Sequence, residues 1–200
     1  MKARDSHGSG LLATDVGTIA VPQFLAYPLP EMIDTKAAPA AIRPATVADV
    51  PTILWFIRQL ALYEKLEHLV VASEEELRGS LFGPRPMAEV VLAEHDGQAV
   101  GFALFFSHYS TFLGRPGLYL EDLFVREEYR SRGIGRQLLE YLARLALARG
   151  WGRMEWAVLD WNEPAIGFYR RLGAHLLEDW RLCRLTGEAL VRLGAPERQS

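Results

Sequence analysis

Cysteine is almost absent from this chain: Cys183 is the only one in 200 residues. No internal disulfide can form, so packing must hold the fold, and such sparing use fits a reducing compartment. Cys183 lies in the alternating run Trp180-Arg-Leu-Cys-Arg-Leu185, which reads as a strand with a packed thiol rather than a nucleophile. Long apolar runs are missing too. Val16 to Leu29 is the more apolar part of the start, but it carries Pro22 and Pro28 and is too short to span a bilayer. Met1 to Gly10 lacks the apolar centre of a signal peptide, so a cytoplasmic location is expected. The five His are scattered, with no pair at a ligand spacing, so no metal centre is expected. Neither sign of charge dominates: 22 basic against 25 acidic residues leave a net charge of -3, which argues against a nucleic-acid partner.

What is present suits one soluble domain with a substantial core, since 50% of residues are apolar and 24% charged. Residues 1–39 fit no motif. They form a flexible extension, or an arm in which Val21-Pro-Gln-Phe-Leu-Ala-Tyr27 lies along an apolar groove. The domain spans 40–193, followed by a tail over 194–200. It opens with a short strand at Ala41-Ile-Arg43. Thr46-Val-Ala-Asp49 then starts a helix carrying Ile53, Phe56, Leu60 and Tyr63 on one face. Ser73-Glu-Glu-Glu76 caps a second helix ending near Phe82-Gly83-Pro84. Ala88–His95 and Gln98–Phe106 are strands joined at Asp96-Gly97, a tight-turn pair. A loop over Ser107–Gly117 follows.

Next comes the most informative stretch. Tyr119-Leu-Glu-Asp-Leu-Phe-Val125 reads as a strand. Arg130-x-x-Gly133-x-Gly135 leads into a helix with Leu138, Leu142 and Leu145 on one face, stopped by Gly150. Glycines before a helix let a ligand approach the backbone, and the helix's first amides suit an anion such as a diphosphate. Arg130, Arg132 and Arg136 flank that turn. The glycine pair alone also fits an ordinary strand-to-helix turn, and it matches neither usual nucleotide fingerprint. Arg153 to Leu159 is a further strand. Asn162 caps a helix with Pro164 in its first turn, Gly173 closes it, and the Trp180 strand finishes the sheet. Three consecutive strands followed by alternating elements indicate a mixed α/β domain rather than a doubly wound one.

Taken together, Arg130-x-x-Gly133-x-Gly135 and the later Asn162-Glu-Pro-Ala-Ile-Gly-Phe-Tyr169-Arg-Arg-Leu-Gly173 resemble the GCN5-related N-acetyltransferases (GNAT) over about residues 41–190. Tyr119-Leu-Glu-Asp-Leu-Phe-Val125 and Leu159-Asp-Trp-Asn-Glu-Pro164 are similar to the spermidine/spermine and thialysine acetyltransferase branch. The resemblance implies a mostly antiparallel central sheet flanked by helices, with a splayed central strand pair. It also implies acetyl-CoA as cofactor, a small-molecule amine as acceptor, direct transfer in a ternary complex, and a homodimer in which acceptor residues can come from both subunits.

Acetylating an amine requires a polarised thioester carbonyl, an acceptor that has lost a proton, and stabilisation of the departing thiolate. Alkylamines have pKa values near about 10, so a base is needed. Glu121 and Asp122 are neighbours on a strand and should point to opposite faces, so only one can face a cleft. The resemblance gives Glu121 the base role, possible through water, and Tyr169 the acid role. An ion-paired carboxylate and a half-buried aromatic are the plainer readings. By the same resemblance, Leu123, Phe124, Val125, Arg130, Ser131, Arg132, Gly133, Ile134, Gly135, Arg136, Asn162, Ala165 and Tyr169 bind the cofactor, with the Val125 N–H polarising the carbonyl. Tyr63, Glu64, Glu121, Asp122, Glu155, Trp156, Ala157, Trp161, Glu178 and Trp180 would form the acceptor site, where carboxylates and aromatic faces suit an ammonium group. Helix-end and edge-strand packing would equally explain Tyr63-Glu64 and the Glu178, Trp180 pair.

One departure bears on the acceptor. Polyamine-specific members carry an acid and a tryptophan before the central strand, where this chain has Ser110 and Phe112. That favours a shorter amine or lysine analogue. Acetylation of a protein or peptide amine, or a non-catalytic acyl-CoA-binding module, are the other readings.

Overall fold

The computed structural model describes residues 40–195. The extension expected over 1–39, and its alternative as an arm, lie outside the described residues. The elements run β1 (Ala41–Pro44), α1 (Val50–Glu64), α2 (Glu74–Phe82), β2 (Glu89–His95), β3 (Gln98–Ser110), β4 (Arg115–Val125), α3 (Ile134–Ala148), β5 (Met154–Trp156), α4 (Glu163–Arg171) and α5 (Gly187–Gly194). The five strands lie in sequence order in one sheet. All neighbours are antiparallel except the parallel pair β4–β5. Among the described residues no helix is long and apolar enough to cross a membrane.

Local chemistry sets the element ends. The Thr46 N–H donates to the Asp49 carboxylate (2.7 Å), and the Arg43 guanidinium binds both Asp49 (2.8 Å) and Glu94 (2.9 Å). This ties the entry of α1 to the first two strands and holds the Asp49 carboxyl well below the usual carboxylate range. Ser73 and Glu76 form the capping box of α2. Asp96 and Gly97 take positive φ (50° and 73°), as a two-residue hairpin between β2 and β3 needs. Gly150 and Gly173, at φ 67° and 89°, turn the chain out of α3 and α4.

Two cores lie on the two faces of the sheet. On one, α1 and α2 bury Ile53, Phe56 and Leu81 against Leu92, Phe102 and Phe124, and the rings of Phe56 and Phe102 stack at 5.1 Å. On the other, Leu138 and Leu142 of α3 pack on Val91, Phe105, Leu118 and Leu120, with Phe168 and Tyr169 of α4 alongside. Burying Leu-sized and Phe-sized side chains completely on both faces is the main stabilising term.

The structure departs from the sequence expectation in four places. The loop expected over Ser107–Gly117 is mostly ladder: β3 runs on to Ser110, β4 begins at Arg115, and only residues 111–114 turn. Phe106 and His108 pack across that ladder on Tyr119 (5.2 and 6.1 Å between ring centres), an alternation masked by polar neighbours. β5 ends at Trp156, not Leu159, because it leaves β4 after three paired positions. No strand forms at Trp180. Trp180 to Leu185 is irregular and exposed, and α5 follows it unforeseen.

The fourth departure matters most. In the β3–β4 ladder Leu104 faces Asp122 while Phe105 faces Leu120, so Glu121 is an extra residue in a bulge. The side-chain phase changes there. Leu118 and Leu120 face the α3 core, whereas Phe124, two residues beyond Asp122, faces the α1 core. Glu121 and Asp122 therefore come to the same side, correcting the alternation expected of a regular strand. Phe102 fills the centre of the α1 core with 0% exposure. Phe102→Ala is expected to lower stability by about 3–5 kcal/mol in urea unfolding, with the folded spectrum retained.

Candidate active site

The parting of β4 and β5 generates the cavity. Leu118–Leu120 pair with Met154–Trp156, after which β4 continues to Val125 on its β3 partner without β5. A cavity of about 890 Å³ opens between Leu120–Val125 on one wall and Trp156–Leu159 on the other. The N-terminus of α3 closes one end, α4 supplies one flank, and Leu60, Tyr63 and Glu64 of α1 the other.

At the α3 end, Gly133, Ile134, Gly135 and Arg136 line the wall with Arg130 and Ser131. The first bond of the α3 ladder is Gln137 N–H to Gly133 O at 3.0 Å, so the amides before it have no helical acceptor. Gly133 has φ 80°, and a Cβ there would meet only Gln137 Nε2 at 3.8 Å. A Cβ on Gly135 would lie 3.6 Å from the Phe168 ring. The turn is thus open to a guest, with the helix dipole and free amides directed at it. These features fit the diphosphate and pantetheine arm of acetyl-CoA.

On the α4 flank, Asn162 Oδ1 accepts from the Ala165 N–H (3.3 Å) and from Tyr63 Oη (3.2 Å). One side chain thereby caps α4 and ties the end of α1 across the cavity. Tyr169 sits edge-on to Trp156, 5.1 Å between ring centres, and burial, reinforced by Glu64 and Tyr63, pushes its phenol up to about 12. It stays protonated at neutral pH and so keeps an O–H to donate. Arg130 lies over the rings of Tyr63 (4.8 Å) and Phe124 (5.5 Å), and its Nε donates to the Val125 carbonyl (3.0 Å).

The acidic end holds Glu64 and Glu121 in the lining, with Asp122 behind them. Burial pushes the Asp122 carboxyl up to about 7, and the charges of Glu121 and Glu64 add to the effect. Burial also raises Glu64.

Of the residues assigned to the cofactor from sequence, Leu123, Phe124, Val125, Arg130, Ser131, Gly133, Ile134, Gly135, Arg136, Asn162, Ala165 and Tyr169 share this cavity. Arg132 does not line it; its guanidinium lies 5.0 Å from the Tyr129 ring centre. Of the acceptor set, Tyr63, Glu64, Glu121, Trp156 and Ala157 line the cavity. Asp122, Glu155, Trp161, Glu178 and Trp180 do not. Trp161 is near, its ring 6.1 Å from Tyr63. Glu155 points the other way from Trp156, as strand alternation requires. Its Oε2 lies 3.0 Å from His108 Nε2 and 2.9 Å from Arg153 Nε, but neither N–H is aligned for a hydrogen bond. The Arg153 contact is one of charge. Glu178 and Trp180 are exposed in the irregular C-terminal stretch.

Sequence reasoning missed Leu60, Leu120, Tyr129, Val158, Leu159, Pro164, Phe168, Arg171 and Leu172, which also line the cavity. The spacing Ala165, Phe168, Tyr169, Leu172 marks one face of α4 and could have found two of them. Nothing in the sequence singles out Arg171.

Comparison with known proteins agrees with this architecture. The model of the acetyltransferase (GNAT) family matches residues 53–174. An L-ornithine N5-acetyltransferase of Arabidopsis thaliana is 38% identical, over 74% of this chain and 85% of its own length. A thialysine N-epsilon-acetyltransferase of Bos taurus is 42% identical, over 76% and 95%. Among solved structures, an aminoglycoside acetyltransferase from a soil metagenomic sample superposes with a TM-score of 0.64 at 19% identity, covering 74% of this chain and 95% of that one. That likeness concerns the fold alone.

Asp122 has a consequence for stability that can be measured. Its carboxyl titrates at 3.8 in an unfolded chain and about 7 here, so between those values the folded state binds more protons than the unfolded one. Stability must fall as pH rises through that window. Asp122→Asn, neutral throughout, is expected to exceed the parent by roughly 2–4 kcal/mol at pH 8 and to match it near pH 4 in urea unfolding.

Proposed function

Because this chain belongs to the GNAT acetyltransferase family and is an N-acetyltransferase, we propose that it transfers acetyl from acetyl-CoA to a primary amine of a small cationic acceptor, in a ternary complex. The observation that carries this reading is the placing of Glu121 and Tyr169 on one cavity, with an anion-binding helix end beside them. Acetyl-CoA supplies the activated acetyl thioester when bound.

The chain's own groups do the rest. The Gly133–Arg136 amides and Arg130 hold the anionic part of the cofactor. The unpaired edge of Leu123–Val125 binds its amide arm as a further strand would, and the Val125 N–H polarises the carbonyl. Glu121, exposed on the bulge, takes a proton from the acceptor ammonium, directly or through water. Tyr169 donates toward the sulfur side. A phenol this reluctant to ionise acts by hydrogen bonding and passes its proton on only as another arrives, the second proton lost by the nitrogen being the source.

Several features support an acceptor of ornithine or thialysine type over a long polycation. The relatives described above are named for ornithine and thialysine, both amino acids with a terminal amine. In the place of the acid in polyamine-specific members, Ser110 is buried, and its Oγ accepts from the Leu113 N–H (3.2 Å), capping the turn between β3 and β4. Phe112, in the place of the tryptophan, is 92% exposed. Glu64, Glu121 and Tyr63 offer carboxylates and a ring to the ammonium.

A homodimer belongs to the same proposal. Leu177, Trp180, Leu182, Leu185, Val191 and Leu193 are exposed in succession, more apolar surface than an isolated terminal segment carries without a partner. A second copy against this stretch would cover it and bring Glu178 and Trp180 toward an acceptor site they do not line within one chain.

The test is a panel of acceptors: L-ornithine, thialysine, lysine, putrescine and spermidine, followed by CoA release. The basic amino acids are expected to give kcat/KM values at least about tenfold above spermidine. The reverse order would move the acceptor class to polyamines, and silence across the panel with acetyl-CoA still bound would remove the enzymatic reading. Tyr169→Phe is expected to lower kcat about a hundredfold with little change in acetyl-CoA affinity; unchanged turnover would take the acid role from Tyr169.

A further inference from the structure

An exposed glutamate is a weak base for an alkylammonium. Their ordinary pKa values, about 4.3 and about 10, lie so far apart that the proton rarely resides on the carboxylate. The proton needs a better resting place than one isolated carboxylate. The β4 bulge provides a neighbour for that purpose. Asp122 follows Glu121 on the same side of the sheet, opposite Leu104 of β3 and two residues from the buried Phe124. Glu121 is exposed and lines the cavity while Asp122 is half-buried and does not, so the pair comprises one carboxylate at the cavity and one behind it.

We propose that Glu121 and Asp122 act as one proton-sharing pair, Glu121 meeting the acceptor and Asp122 serving behind it as the positioning residue. This rests on the reading above in which Glu121 is the base. Two like charges in adjoining sites cannot both ionise freely, and the second ionisation of such a pair belongs to both groups. The surroundings reinforce the coupling. Glu64 of α1 adds a third negative charge, β3 presents only Leu104, and burial raises the pair's inner member to about 7. The cation on that side, Arg130, is engaged with the rings of Tyr63 and Phe124 and with the Val125 carbonyl.

The proton balance is simple. One N–H bond of the acceptor ammonium breaks, and its proton forms an O–H bond on the pair, whose charge falls by one unit. That proton later leaves to solvent. The second proton, lost as the nitrogen becomes an amide, goes through Tyr169 to the sulfur. One proton is released per acetyl group transferred.

The decisive measurement uses the full chain without any ligand: carboxyl carbon NMR across pH, with Asp122 assigned through bonds from its own Cβ. A midpoint near 7 is expected for Asp122. In Glu121→Gln that midpoint should fall by about one pH unit or more, since a like charge has gone. An unmoved midpoint overturns the pair, whatever the protein's substrate, because the experiment needs none. Kinetics then separate positioning from packing. Asp122→Asn should shift the acid limb of kcat to lower pH and reduce kcat at pH 8 about tenfold, with acetyl-CoA affinity within twofold. Asp122→Glu should restore most of the loss. An unshifted acid limb in Asp122→Asn refutes the proposal. If no amine on the panel is acetylated, the function reading fails by itself, and the titration still decides on the pair.

Discussion

β4 and β5 share only Leu118–Leu120 and Met154–Trp156, and the backbone beyond those positions has no ladder partner on the facing edges. Buried amides and carbonyls need partners, so a sheet that parts in this way requires a guest or a substitute. Arg130 acts as a substitute for one group by donating to the Val125 carbonyl. Everything else at the site follows from the parting. The α3 N-terminus reaches the cavity because β4 ends beside it, and α4 reaches it because the chain leaving β5 turns outward at Asn162. Tyr63 spans the gap to Asn162, holding α1 against α4 where the sheet itself no longer joins the two sides.

The cavity also separates charge by element. Arg136 and Arg171 belong to the α3 and α4 side, together with the positive end of the α3 dipole, whereas Glu64 and Glu121 belong to the α1 side, with Arg130 reaching over the Tyr63 ring between them. In the proposed reaction an anionic cofactor and a cationic acceptor are drawn to different parts of one space, and their reacting atoms meet between them, near Tyr169. Proximity and fixed dipoles organise that encounter.

Much of this was legible in the sequence because its signals were local. Thr46-Val-Ala-Asp49, Ser73-Glu-Glu-Glu76, Asp96-Gly97 and the glycines at 133, 150 and 173 each mark an element end by short-range chemistry, and the structure places ends there. The cavity face of α3's entry followed from the same kind of signal. What escaped depends on tertiary contacts. The end of β3 and the start of β4 are held by Phe106 and His108 packing on Tyr119, which single-residue propensity does not register. Trp180-Arg-Leu-Cys-Arg-Leu185 alternates like a strand, but alternation gives no neighbour to pair with, and β5 offers only three ladder positions. Arg171 enters the cavity through helix geometry alone. Glu155 and Trp156, adjacent in sequence, part company for the ordinary reason that strand residues alternate.

The bulge at Glu121 shows why alternation fails where chemistry is concentrated. An uninterrupted strand would send Glu121 and Asp122 to opposite faces and bury one of them in the α3 core, unpaired, at a cost of several kcal/mol. One additional residue avoids that, but it gathers three carboxylates where burial already penalises charge, as the raised Asp122 and Glu64 show. Stability alone would favour a neutral residue at 122. A carboxyl kept where burial penalises its charge marks the site's chemistry, which under the proposed function is the handling of an ammonium proton. The sheet accommodates the charge because it is already open on the β5 side, where water and an acceptor can reach Glu121. The bulge and the parting of β4 from β5 thus make a single arrangement: one exposes a carboxylate, and the other leaves room for what it acts on.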